Sequence, residues 1–147
     1  MTTRSWVLVA ESSRAKLYEA KTKAAPLVEI ADYVHPEARL AQRELITDGP
    51  GEDTGGAPGL GPHMFDDEVS PKEEEAIRFA EMLAEELEKG RVAKKFDQLI
   101  LVAPPKFMGY LREKLSPELK AMIGESVDKN LTREKPEVIR EHLQTLL

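Results

Sequence analysis

The side chains of this chain able to do acid–base or metal chemistry are few and widely spaced. Histidine occurs at His35, His63 and His142 only, and none of them stands in a spaced ligand motif. His142 follows Val138 by one helical turn and reads as a satisfied histidine on a closing helix. His63 lies beside a glycine-rich stretch, with Asp66 and Asp67 close behind, and is a candidate partner-binding residue. Cysteine is absent, which excludes disulfides, thiol nucleophiles and cysteine-based zinc sites. Ser12-Ser13 follows Glu11 rather than sitting between glycines, so there is no nucleophile elbow. Glu11 and Asp128 each fall near the end of an expected strand. Carboxylates paired there could hold magnesium; read structurally, Glu11 is a turn residue and Asp128 stops a strand. No catalytic residue and no cofactor is assigned from these patterns.

Gly49 to Pro62 contains six of the nine glycines and three prolines, a composition that denies it regular structure. The irregular stretch continues to residue 70. It lacks the Lys-Ser/Thr ending of a phosphate-cradling loop, and it does not follow a first strand as a dinucleotide fingerprint does. Gly55 and Gly56 permit backbone conformations closed to other residues and close approach to a partner. The same composition suits a disordered linker. Glu52 and Asp53 cannot be buried without partners, so the loop is expected to be exposed and more mobile than any sheet it joins.

Charged residues make up 33% of the 147, with a formal net charge of -6. This gives no global attraction to nucleic acid or anionic lipid. The charge is unevenly spread. Asp48 to Glu88 holds thirteen acidic residues against Lys72 and Arg78, whereas Lys89 to Lys114 holds seven basic residues against Asp97 and Glu113. The basic stretch, with Lys94, Lys95, Lys106 and Arg112, is either a solvated helix face complementing a dipole or a patch for a phosphate-bearing partner. No aromatic residues are interleaved with it for base stacking.

The elements that must position these residues follow from periodicity. Ser5 to Ala10, Ala15 to Ala20 and Leu27 to Val34 read as three strands of an antiparallel meander. A short helix over Glu37 to Leu45 follows Pro36. Ser70-Pro-Lys-Glu73 is a capping box, and Ala76, Ile77, Ala80, Leu83, Ala84 and Leu87 form one apolar stripe of a helix ending near Gly90. Leu99 to Ala103 is apolar without alternation, as in a strand covered on both faces. Pro104-Pro105 stops it, and Phe107, Met108, Leu111 and Leu115 line the next helix. A turn of helix from Ser116-Pro117, an edge strand over Ile123 to Asp128 and a closing helix over Pro136 to Leu146 complete the chain. The expected fold is α/β: one three-layer domain over 1–147, its mixed five-stranded sheet placing the Leu99 strand parallel beside the first. The apolar run Trp6 to Ala10 is too short for a membrane span or a signal-peptide core, so a cytoplasmic protein with no membrane span is expected.

Five segments in this order resemble the bacterial host attachment protein family. They are Trp6-Val-Leu-Val-Ala-Glu-Ser-Ser-Arg-Ala-Lys-Leu-Tyr18, Asp48-Gly-Pro-Gly with Gly55-Gly56, Pro71-Lys-Glu-Glu-Glu-Ala-Ile-Arg-Phe-Ala80, Leu99-Ile-Leu-Val-Ala-Pro-Pro-Lys-Phe107 and Val127-Asp-Lys-Asn-Leu-Thr132. Members resemble the middle domain of archaeal and eukaryotic peptide-release factors, which implies a ribonuclease H-like fold. In release factors a Gly-Gly-Gln tip in the corresponding loop promotes peptidyl-tRNA hydrolysis. Here Gly55-Gly56 is followed by Ala57, and the loop contains no glutamine. The resemblance therefore implies a non-catalytic module whose partners are RNA, tRNA or the ribosome, met through the glycine loop and the basic stretch. The family name implies a second class, an attachment or interaction protein acting indirectly at the cell surface. The ribonuclease H-like fold, with Glu11 and Asp128, implies a third, a metal-dependent nuclease.

Overall fold

The structure is a computed structural model that describes residues 3–35 and 70–144. A five-stranded sheet organises them, in the order β3-β2-β1-β4-β5. Its strands are β1 (Ser5–Ala10), β2 (Arg14–Ala20), β3 (Val28–Val34), β4 (Gln98–Val102) and β5 (Ile123–Val127). The helices are α1 (Pro71–Val92), α2 (Pro105–Lys114), α3 (Pro117–Ala121) and α4 (Pro136–Glu141). β1 pairs antiparallel with β2 and parallel with β4, and β5 continues the parallel half beyond β4. The meander and the parallel placement of the Leu99 strand are thus as the sequence implies.

β1 is buried along its whole length because both faces of the sheet are covered. Leu8 sits opposite Leu17 on β2 and Leu101 on β4, on the face packed by α1, α2 and α3. Val7 sits opposite Tyr18 and Ile100, on the other face, where Leu131, Ile139 and Leu143 close the second core. Two apolar layers around one sheet explain why Leu99 to Ala103 shows no alternation: every position faces a core. Each fully buried leucine or isoleucine here contributes about 1.5–3 kcal/mol relative to exposure.

The capping box forms as expected. The Ser70 hydroxyl accepts from the Glu73 amide at 3.1 Å and faces the Glu73 carboxylate at 3.5 Å, with Pro71 in the first turn. Glu73 and Glu74 in that turn, and Lys89 and Arg91 in the last, complement the helix dipole.

Four boundaries and one stripe position differ from the sequence reading. α1 runs through Gly90 to Val92, and Gly90 is buried inside it. A Cβ at Gly90 would lie 2.5 Å from a Trp6 ring carbon, so this glycine permits close packing and does not mark a helix end. Phe79 is fully buried on α1, whereas Ile77 is only half-buried at the margin of the stripe. β2 begins one residue early, at Arg14, and β3 one residue late, at Val28. α4 ends at Glu141 with His142 as its C-cap. Leu143 is still buried, and its backbone N–H donates a hydrogen bond to the Arg140 carbonyl at 3.0 Å. The expected helix over Glu37 to Leu45, the glycine loop and Leu146 lie outside the described residues.

Candidate ligand cleft and loop anchor

β1 and β4 run parallel, so the chain leaves both at the same edge of the sheet. There Glu11 and Ser12 follow β1, Pro104 follows β4, and the first turns of α1 and α2 arrive beside them. Together they line a cleft of about 330 Å³. The space outside the carboxyl ends of parallel strands is where open α/β sheets hold ligands, because loops diverge there over a rigid frame.

Glu73 is the hub of the cleft. Its Oε2 accepts from the Tyr110 hydroxyl at 2.8 Å and faces Lys106 Nζ at 3.4 Å. The Tyr110 hydrogen bond, then the Lys106 charge, hold the Glu73 carboxyl below the usual carboxylate range. Burial, then the hydrogen bond and charge of Glu73, push the Tyr110 hydroxyl up to about 12. The three residues join the first turn of α1 to α2. α2 itself starts at a proline N-cap, and no side chain caps its first turn.

Both ends of the segment 36–69 are fixed to the first turns of α1. Where β3 leaves the sheet, His35 Nε2 lies 2.9 Å from Glu75 Oε1, and the imidazole stacks on Phe79 with ring centroids 5.4 Å apart. The His35 amide donates to the Ser13 carbonyl at 2.9 Å. Where the chain returns, Ser70 caps α1. The N-terminal part of one helix, from Ser70 to Phe79, therefore anchors departure and return. Sequence reading placed the capping box but missed His35, because its partners Glu75 and Phe79 lie forty or more residues away.

The remaining candidates separate. Gly55, Gly56 and His63 lie outside the described residues. Glu11 and Asp128 both follow parallel strands, and Asn130, two residues beyond Asp128, donates to Glu11 Oε1 at 3.4 Å. Among the described residues no three His, Cys, Asp or Glu side chains group as a metal site. Lys94 and Lys95 precede β4 whereas Lys106 follows it, so a strand on the order of 15 Å long lies between them. Lys94 has φ 56° and its carbonyl accepts from Arg4 Nη2 at 2.7 Å. Arg112 donates to the Ser126 hydroxyl on β5. Other members of the basic stretch face acidic residues of α1: Lys89 to Glu86, Arg91 to Glu88, Lys106 to Glu73 and Lys114 to Glu81. The acidic and basic blocks of the sequence thus meet each other across α1 and α2, and the basic side chains are distributed over both ends of the sheet.

No curated protein matches the chain. Among solved structures, an archaeal translation termination factor superposes with a TM-score of 0.54 at 12% identity, over 97% of this chain and 36% of that one. The chain therefore spans about a third of that factor's length, and the likeness establishes the fold. The Ppx/GppA phosphatase of Aquifex aeolicus is more distant, with a TM-score of 0.43 at 13% identity over 85% of this chain and 35% of that one. At the level of sequence families, residues 6–143 match the family described as "protein required for attachment to host cells". That match covers both halves of the sheet, the cleft and the loop anchor, and the chain belongs to this family.

Proposed function

We propose that this chain is a non-catalytic, cytoplasmic binding module that associates with RNA, tRNA or the ribosome. Its contacts come from the glycine-rich segment, including Gly55, Gly56 and His63, and from Lys94, Lys95, Lys106 and Arg112. The observation that carries this reading is the anchoring of both ends of the segment 36–69 on the first turns of α1, within a fold similar to that of a termination factor. Such an anchor fixes the two points at which the segment leaves and rejoins a rigid frame. Ala57, where a release factor has glutamine, supports binding without peptidyl-tRNA hydrolysis.

Sedimentation of purified protein with ribosomes at low and high salt tests the proposal. Association that weakens with salt supports it, and absence from the ribosomal fraction removes it. Replacing Gly55 and Gly56 together by alanine is expected to weaken association while leaving the melting temperature nearly unchanged.

The family description favours a second reading, an interaction protein that serves attachment indirectly at the cell surface. Normal host attachment by a deletion strain, with ribosome association intact in the wild type, removes that reading. The third, a metal-dependent nuclease, rests on Glu11 and Asp128, which follow β1 and β5 on either side of β4. It requires magnesium-dependent RNA cleavage that is lost in Asp128→Ala.

A further inference from the structure

The cleft beside β1 and β4 divides into apolar and charged parts. Its volume, about 330 Å³, falls at the lower end of the range for small-molecule sites, about 300–1,000 Å³. Ala76 and Phe107 are buried and contribute apolar surface, while Pro104 and the half-buried Tyr110 line the same space. Lys72 and Lys106 are exposed at its rim. The two carboxylates of the lining already have donors: Glu73 has Tyr110 and Lys106, and Glu11 has Asn130.

A ligand matching this lining carries an anionic group for the lysines and a flat, weakly polar body for the apolar surface. Inorganic phosphate leaves the apolar part unused, and a purely apolar molecule leaves the ammonium groups unused. The geometry points to a nucleoside monophosphate unit as the ligand of this cleft, with its phosphate between Lys72 and Lys106 and its base against Pro104 and the Tyr110 ring. The choice of a nucleotide over other amphiphilic anions rests on the RNA reading above. The unit is either a free mononucleotide or one residue turned out of an RNA strand.

Titration calorimetry and amide chemical-shift mapping with adenosine 5′-monophosphate, adenosine, inorganic phosphate and a short oligouridylate test this. Adenosine 5′-monophosphate is expected to bind more tightly than adenosine or phosphate alone, with shifts concentrated at Lys72, Ala76, Lys106 and Tyr110. Replacing Lys72 and Lys106 together by glutamine is expected to weaken its binding about tenfold through the loss of charge-assisted contacts, at an unchanged melting temperature. If that double variant melts early, Lys72→Gln alone, at an exposed position, is the variant to compare. Absence of saturable nucleotide binding, shifts that map elsewhere, or wild-type affinity in the lysine variants each overturns the inference. Oligouridylate that displaces the mononucleotide supports an RNA residue as the source. Mononucleotide binding at the cleft with no oligouridylate binding supports the free nucleotide and removes the RNA reading. Oligouridylate binding that ignores the lysines but is lost on replacing Gly55 and Gly56 removes the cleft and leaves the RNA reading standing.

Discussion

The two ends of the β1–β4 pair are finished in opposite ways. Where the strands begin, Trp6 stacks on Phe96 with ring centroids 4.6 Å apart, and both rings close against Gly90 of α1. Asp97 Oδ2 accepts from the Arg4 amide at 2.9 Å, and the Arg4 guanidinium reaches the Lys94 carbonyl. Where the strands finish, the same sheet opens into a cleft framed by charged and hydroxyl side chains. Side-chain size explains part of the contrast. Two large aromatic rings stack and fill one end, while at the other Phe107 and Tyr110 share the lining with the small residues Ser12, Ser70 and Ala76 and with the exposed Lys72 and Lys106. The first end is packed shut, and the second leaves a cleft open.

The largest effect expected from breaking this contrast is at the closed end. Phe96→Ala removes the ring stacked on Trp6 and should destabilise by about 3–5 kcal/mol, measured by denaturant unfolding. Nucleotide binding by the remaining folded protein should be unaffected, and a parallel loss of binding would show that the two ends are coupled. Gly90→Ala comes next, because the added methyl meets a rigid indole ring. Overpacking of roughly 1–3 kcal/mol, offset in part by the better helix propensity of alanine, about 1 kcal/mol, should leave a net loss visible in the melting temperature. A gain would show that the Trp6 ring moves freely and that this end is loosely packed.

At the open end the effects are smaller. Ser70→Ala removes the cap of α1 and should destabilise by about 1 kcal/mol, while also loosening the point to which the segment 36–69 returns. Tyr110→Phe should cost about 1 kcal/mol or less at neutral pH, as for one partly exposed hydrogen bond, and its clearer signature is pH dependence. The folded state binds the Tyr110 proton more tightly than the unfolded state. That contribution is therefore complete below the ordinary tyrosine value near 10 and is lost as pH rises towards about 12. Glu73 behaves in the opposite sense. Its lowered value gives a contribution present above the ordinary carboxyl range and lost as pH falls through the depressed value. Unfolding measured from pH 9 to pH 12 should show a steeper decline in the wild type than in Tyr110→Phe. Equal slopes would separate Tyr110 from the stability of this end.

Local signals made much of the frame legible. The unalternating run Leu99 to Ala103, the capping box at Ser70 and the Pro104-Pro105 stop each specify their own backbone, and all three appear where the residues place them. The Gly90 boundary failed because a glycine near the end of an apolar stripe carries two meanings, a helix stop or a close approach. Only the distant Trp6 distinguishes them. Phe79 was missed for a related reason: the face that α1 buries depends on how the helix rotates against the sheet.

Composition alone excluded thiol chemistry and disulfides, because no arrangement of the chain can supply a sulfhydryl group. Hydrophobic periodicity determined the strands and the helices, since each depends on neighbours a few residues apart, whereas the parallel pairing of β4 with β1 joins residues such as Trp6 and Leu99 from distant parts of the chain. Tertiary structure decided what those elements brought together: His35 with Glu75, Glu73 with Tyr110 and Lys106, and Glu11 with Asn130. It also set Lys106 and Lys114 against Glu73 and Glu81 of the acidic helix. These contacts join residues from 33 to 119 positions apart, and no local period encodes a separation that the packing of the sheet creates.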